Sequence, residues 1–269
     1  MPELPEVETS LRAIKKFENH HLKKIKVYNR SLRWPIAKDL EDKCKNQRIV
    51  ALYRRAKYII FELENVFLFL HLGMSGKLRI SKNTNNYFVK HDHVEFIFDD
   101  EKIIFNDPRR FGSLHFTKDI NNHKLIFELG PEPLSDSFNG EYLLSLCKKS
   151  KTNIKTLIMK QKNVVGIGNI YASESLYLSR INPLKNSNEL SLKECKKLVS
   201  SSKKVLNAAI KVGGTTLKDF YSADGSPGYF KIKLNVYGRD GQKCKKCQQE
   251  ILKIIINQRA TFYCPFCQN

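Results

Sequence analysis

Read along its hydrophobic positions, the chain changes texture from one segment to the next. Val7, Leu11, Ile14 and Phe17 recur at the spacing of one helix face, with Arg12, Lys15 and Lys16 off that stripe. Pro5 suits a first helical turn, so a helix is expected within a few residues of the terminus. From Ile49 to Phe116 the pattern turns to β-branched and aromatic runs: IVALY, KYIIFEL, VFLFLHL, VEFIF and KIIF. Turns at Glu64–Asn65 and Asp99–Asp100 divide them. Two loops interrupt these runs, HLGMSG (71–76) and NDPRRFG (106–112). The segment predicts an antiparallel sandwich or barrel-like domain. ELGPEPLSD (128–136), with two prolines and a glycine, marks a boundary. Beyond it EYLLSLCKK, NIKTLIMKQ, NIYASESLYLSR and SLKECKKLVSSSKKVLNAAI read as helices, the last ended by GGTT at Gly213. The glycine-punctuated DGSPGYF (224–230) leads into a terminal cysteine module. The expected fold class is α+β: a β-sandwich flanked by helices over 1–130, a helical domain over 131–225 and a cysteine-bound β-hairpin over 226–269.

Charge narrows the partners. Lys and Arg total 47 against 27 Asp and Glu in 269 residues, a formal net charge of +20. The excess runs along the whole chain, which points to a polyanion whose counterions are released on binding. No segment approaches the ~18 consecutive apolar residues of a membrane span. The first residues lack the basic and apolar runs of a secretory signal, so a cytoplasmic location is expected. Cys44, Cys147 and Cys195 stand singly and read as reduced, buried thiols.

The remaining four cysteines form the strongest local signal. Cys244-x2-Cys247 and Cys264-x2-Cys267, sixteen residues apart, have the spacing of a structural four-thiolate zinc site, with two disulfides as the alternative. One Zn2+ held by four thiolates is coordinatively closed, leaving no place for a catalytic water. Its role would be to order the small hairpin EILKIIINQRATFY, where Arg259 could grip a phosphate. NVVGIGNIYASES (163–175) sets a Gly-x-Gly turn before a helix with Asn169 expected at the N-cap, an arrangement that aims amides at an anion.

The tip MPELPEVE is acidic at the front of a basic chain. Once Met1 is removed, Pro2 presents a secondary amine with an α-amino pKa of about 7.7–8, far below that of lysine. The following helix end disfavours its protonated form further, and such an amine can attack a sugar's anomeric carbon to give an iminium. Glu3 beside it could supply the proton that ring opening requires. The same helix end would keep Glu3 ionised, so desolvation must oppose it.

Taken in order, MPELPEVE, YRRAKY (53–58), HLGMSG, NDPRRFG, VVGIGNIYASE, GTTLKDF with DGSPGYF, VYGRDG and QRATFYCPFCQ resemble the bacterial formamidopyrimidine-DNA glycosylases over essentially the whole chain. The resemblance implies a helix-two-turn-helix in the helical domain and a zinc finger at the end. It implies a monomer acting on double-stranded DNA that contains oxidised bases or abasic sites, in the bacterial cytoplasm at the nucleoid. Pro2 would be the nucleophile, Glu3 the acid, and Lys57 would stand near the lesion phosphate and the reacting sugar. Glu6 would shape the lesion pocket. Met74, Arg109 and Phe111 would fill the hole left by a flipped base, Arg109 bonding the orphaned cytosine. Residue type does not separate Arg109 from Arg110; motif position does. His71, Lys155, Asn169 and Arg259 would hold phosphates. Backbone around Thr215, Leu217, Lys218, Asp219 and Phe220 would read the oxidised purine. An endonuclease VIII type acting on oxidised pyrimidines is the near alternative, opposed by the leucine of MPELPE and the complete wedge loop. A non-catalytic zinc-module DNA-binding protein would leave Pro2, Glu3 and Lys57 without purpose. RNA binding would fit the charge, but no RNP-like aromatic motif is present.

Overall fold

The N-terminal stripe forms α1 (Leu4–Ile14), extended by a short 3-10 turn through Phe17. Its inward residues Val7, Leu11 and Ile14 join the core of a two-sheet sandwich, and Arg54 Nε donates to Glu8 Oε2 at 3.1 Å, tying the helix to the sheet. The computed structural model describes residues 2–85, 88–213 and 234–268. These fall into two compact units, one over 2–127 and the other over 128–212 with 234–268.

In the first unit the strands are β1 (His21–Leu22), β2 (Lys24–Val27), β3 (Gln47–Arg55), β4 (Tyr58–Leu63), β5 (Phe67–His71), β6 (Lys77–Lys82), β7 (Asp92–Ile97), β8 (Glu101–Asn106) and β9 (Ser113–Thr117). Two short helices, α2 (Leu40–Cys44) and α3 (Lys124–Phe127), flank them. One sheet runs β1-β3-β4-β5-β9 and the other β2-β7-β8-β6, with every pairing antiparallel. Their inner faces share one core, in which Phe61 of the first sheet stacks on Phe96 of the second with centroids 5.3 Å apart. Each fully buried Leu, Ile or Phe there contributes about 1.5–3 kcal/mol. The chain crosses between sheets at both quoted loops: HLGMSG joins β5 to β6, and NDPRRFG joins β8 to β9. Because β5 pairs with β9 and β6 with β8, the two crossings run side by side.

The second unit is helical: α4 (Gly140–Lys148), α5 (Ile154–Met159), α6 (Asn169–Ser179) and α7 (Leu192–Lys211). Asn139 and Asn153 cap α4 and α5, and Ser191 with Glu194 closes a capping box on α7. Along α7 the buried positions Cys195, Leu198, Val199, Ser202, Leu206 and Ala209 hold one face, and the chain leaves the helix at Gly213 with φ +82°. α6 is buried nearly all round and is the axis of the unit. Its Glu174 carboxylate accepts from the backbone N–H groups of Asn235, Val236 and Tyr237 at 2.9–3.0 Å, fixing the start of the segment that leads to the cysteine hairpin. That hairpin is β10 (Leu252–Ile256) and β11 (Arg259–Tyr263). Cys44, Cys147 and Cys195 are all buried free thiols. No helix among the described residues is long and apolar enough to cross a membrane.

Candidate active site and nucleic-acid interface

The acidic tip is built into the first unit. Pro2 and Glu3 are buried, Glu3 with only 2% of its surface exposed. Glu3 is the N-cap of α1 and closes a capping box with Glu6, whose Oε2 accepts the Glu3 N–H at 2.9 Å. Glu6 is itself buried, so the terminal residues are held at a fixed place beside the sandwich. Lys57 is buried in the tight β3–β4 turn, following Ala56 in the left-handed region at φ +55°.

His71 ends β5, opposite Tyr58 in the β4–β5 register with ring centroids 4.9 Å apart. Its Nδ1 accepts the Gly73 N–H at 2.9 Å, which leaves Nε2 as the protonated nitrogen of a neutral ring. Burial, then the charges of Lys57, Arg33 and His115, push the His71 pKa down to about 4. At neutral pH it is therefore an uncharged donor, suited to a phosphate oxygen without adding a titrating charge.

The two crossing loops meet backbone to backbone. Gly73 has φ +68°, and a Cβ on it would collide with Phe111 and Gly112; a Cβ on Gly112 would stand 2.5 Å from the Phe105 ring and 2.9 Å from His71 O. Asp107, fully buried, locks the junction: its Oδ1 accepts from Ser75 Oγ at 2.6 Å and its Oδ2 from Gly112 N–H at 2.7 Å. Ser75 Oγ in turn accepts the Arg109 N–H at 3.2 Å. On this frame Met74 and Phe111 each stand 41% exposed, and the Arg109 guanidinium lies 4.9 Å from the Phe111 ring centroid. Arg110, at φ +56°, is exposed, and no such stack is found for it among the described residues. The structure thus groups Met74, Arg109 and Phe111 at one edge. It adds Ser75 and Asp107, which sit inside the quoted motifs but carry no chemistry that marks them in the sequence.

In the second unit Lys155, 1% exposed, sends its Nζ to Asn169 Oδ1 and Thr261 Oγ1, both at 2.6 Å, and more weakly to Ala260 O at 3.4 Å. Asn169 Nδ2 donates to the same Ala260 carbonyl at 2.8 Å. The N-cap of α6 is Gly168, in an extended conformation, and Asn169 is the first helical residue rather than the cap. Its side chain is turned to the hairpin instead of its own helix end. A cavity of about 170 Å³ lies between α5 and the hairpin, lined by Lys155, Thr156, Lys160, Asn257 and Arg259 among others. Arg259 is exposed there at the start of β11.

The sulfurs of Cys244, Cys247, Cys264 and Cys267 all lie within 4.8 Å of one another. A tetrahedral zinc–thiolate centre with bonds near 2.3 Å sets its sulfurs about 3.8 Å apart, and the Cys247–Cys264 and Cys244–Cys267 pairs stand at 3.4 and 4.0 Å. Backbone N–H groups of Lys246 and Cys267 point at Cys244 and Cys264 sulfur at 3.4 Å, and the Tyr177 hydroxyl reaches Cys244 at 3.3 Å. Donors aimed at sulfur suit thiolates that carry charge. Thr215, Leu217, Lys218, Asp219 and Phe220 lie outside the described residues.

His71 and His115 both titrate near pH 4, His115 chiefly through burial, and burial lowers His123 beside it as well. The unfolded chain takes up protons near the usual histidine value of 6.5, whereas the folded protein resists until about 4. Stability is therefore full above pH 6.5 and is lost as pH falls toward 4. Denaturant midpoints at pH 7.5 and 5 should show this drop, and His115→Phe should flatten it. An equally steep loss in that variant would remove His115 from the explanation.

Comparison with known proteins agrees with this arrangement part by part. Residues 1–114 match the formamidopyrimidine-DNA glycosylase N-terminal domain, 129–221 the H2TH domain of the same proteins, and 241–269 a zinc finger found in FPG and IleRS. The formamidopyrimidine-DNA glycosylase of Hydrogenovibrio crunogenus is 48% identical over all of this chain and 96% of its own length. The crystal structure of a complex between Lactococcus lactis Fpg and DNA containing an abasic site superposes with a TM-score of 0.90 at 32% identity, covering 99% of both chains. That of the Fpg protein from Thermus thermophilus gives 0.89 at 32%, covering 99% of this chain and 98% of its own. With three matching domains and a relative at near-half identity end to end, beside a buried acidic tip, two loops locked together at the sheet crossing and a four-cysteine hairpin, the chain belongs to the formamidopyrimidine-DNA glycosylase family of DNA repair enzymes.

Proposed function

We propose that this DNA glycosylase is bifunctional, excising oxidised purines such as 8-oxoguanine and formamidopyrimidines from duplex DNA and then cleaving the abasic site. The observation that carries this reading is the burial of Pro2 and Glu3 at a capped helix start, since an idle terminus would be expected to fray. After loss of Met1, the Pro2 nitrogen attacks C1′ of the damaged nucleotide, and the base leaves with the glycosidic electron pair. Glu3 protonates O4′ as the sugar opens, giving an iminium between C1′ and the proline nitrogen. Loss of a C2′ proton then expels the 3′ phosphate and a second elimination the 5′ phosphate. A one-nucleotide gap with phosphorylated ends remains. Lys57 and His71 hold the phosphates beside the sugar. Met74, Arg109 and Phe111 occupy the vacated stack, with Arg109 on the opposite cytosine. Glu6 borders the lesion pocket. Arg259, with Lys155 and Asn169 behind it, grips the backbone from the second unit. The segment from Thr215 to Phe220 reads the base. Cys244, Cys247, Cys264 and Cys267 hold one structural Zn2+, and the protein acts as a monomer in the bacterial cytoplasm.

Borohydride trapping tests the core of this. A duplex carrying 8-oxoguanine opposite cytosine should yield a covalent adduct, with its mass on Pro2 and Met1 absent, and Pro2→Gly should lose or greatly slow it. The Lactococcus lactis relative was crystallised as a point mutant with DNA containing Fapy-dG and as the wild type with DNA containing an oxidised pyrimidine, so both lesions belong in the assay. Stronger trapping on the oxidised pyrimidine would overturn the purine assignment. No adduct from any lesion, despite salt-sensitive duplex binding, would sink the lyase.

A further inference from the structure

Between β2 and α2 the chain makes a tight excursion whose outer residues have no structural task inside the sandwich. Ser31 bridges to Pro35, and Leu32 and Ile36 plug the core, so Arg33 and Trp34 are left standing on the surface. Their placement is nevertheless firm. The Arg33 N–H donates to the carbonyl of Gly112, the closing residue of the wedge loop, at 3.1 Å. The Arg33 guanidinium lies 4.6 Å from the centroid of the Trp34 ring. Trp34, 39% exposed, packs on His115 at 5.6 Å, and His115 stacks on Phe69 of β5 at 5.2 Å and 25°. A column of rings thus runs from the sheet outward and ends in a cation.

That cation has no carboxylate partner among the described residues, although ion pairs are frequent elsewhere on this unit. Its field reaches His71 and Tyr58, which puts it on the same face as the histidine assigned above to a phosphate. A guanidinium held over an indole leaves N–H groups available, is weakly hydrated, and loses little freedom on binding a bidentate anion. An unpaired, pre-oriented arginine among other positive groups on a DNA-repair enzyme has an evident ligand in the phosphodiester backbone.

We propose that Arg33 is a further phosphate-binding residue of this enzyme, gripping the DNA backbone beside the wedge loop, and that Trp34 is the positioning residue that presents it. The assignment rests on the DNA-binding reading of this face. The test is binding of a duplex carrying a tetrahydrofuran abasic analogue, by fluorescence anisotropy over about 50–200 mM salt. Each phosphate contact contributes about 0.9 to the slope of log affinity against log salt. Arg33→Gln should therefore bind more weakly at low salt, and its deficit should shrink by about 3.5-fold across that range. Arg33→Lys should keep the wild-type slope while losing part of the affinity, because an ammonium keeps the charge but not the guanidinium's bidentate donors. Trp34→Leu should also keep the slope but bind two- to five-fold more weakly at every salt concentration. An unchanged slope in Arg33→Gln, with wild type binding the duplex normally, would overturn the proposal. Trp34→Leu that binds like wild type would overturn the positioning role. A wild-type protein that bound no duplex would instead overturn the DNA-binding reading of the face. Thermal melts of each variant keep loss of fold separate from loss of contact.

Discussion

Glu3→Gln is expected to slow release of an oxidised purine by about 10²–10⁴-fold, the usual weight of a positioned acid, while trapping on a preformed abasic site falls by less than about tenfold. The substitution is nearly isosteric, and the glutamine carbonyl can still face the first turn of α1 as the glutamate does in its capping box with Glu6. What it removes is the acidic proton that a carboxyl group can transfer. Glu3 is too buried for bulk water to replace that proton readily. A preformed abasic site equilibrates with its ring-opened aldehyde, so under the proposed mechanism the ring opening that Glu3 assists is no longer demanded of the acid, and the Pro2 amine remains. Single-turnover rates on the two substrates separate these steps. If both fall together, Glu3 supports the fold of the tip; if neither falls, another group is the acid.

Removing the metal should have an effect of similar size on binding. The second-unit hairpin has only two strands, and its small core comprises Val236, Ile251, Phe262 and the cysteines themselves. A two-stranded hairpin is at best marginally stable alone in water, and Ile255 is left mostly exposed. Without the ion, the four sulfurs that now converge would repel or protonate, and the hairpin should unravel. The damage would spread, because Lys155 depends on Thr261 and Asn169 on Ala260 for their orientation. Loss of Thr261 would take one partner from the buried Lys155 ammonium, and a hydrogen bond to a charged group commonly contributes about 1.5–3 kcal/mol. Chelation, or Cys264→Ser, should release one zinc per chain, expose reactive thiols and weaken duplex binding by at least about 100-fold, a loss of roughly 2.7 kcal/mol. Duplex binding unchanged after verified metal loss would show that the hairpin holds itself.

The parts of the fold legible in the sequence were those with an unbroken period. The α1 stripe, the long strands from Ile49 to Phe116 and the capped run of α7 all repeat the same choice often enough to be read. β1 and β2 are too short to show alternation, and the Arg33–Trp34 excursion obeys no local rule, since its support comes from Gly112 and His115 far along the chain. The site divides in the same way. The cysteine spacing identifies its own cluster because all four ligands sit in two knuckles. Asn169 looks like a helix cap from its neighbours, yet its partners are Lys155 and Ala260, so a glycine takes the cap instead. Asp107 is equally silent: nothing in NDPRRFG says that its carboxylate will face Ser75 from the other loop.

The loops that carry Met74 and Phe111 are also the places where the chain passes from one sheet to the other. A spur at such a crossing inherits its stiffness from the whole sandwich, as a bracket does from the two walls it joins. Met74 and Phe111 at the tips can be exchanged without disturbing Gly73, Asp107 or Gly112 beneath them, while a change in Phe105, deep under the junction, would tilt every tip at once. The scaffold therefore separates two kinds of variation: under the proposed function, side chains at the rim would retune what is recognised opposite the lesion, while residues under the crossing would set how stiffly the rim is held.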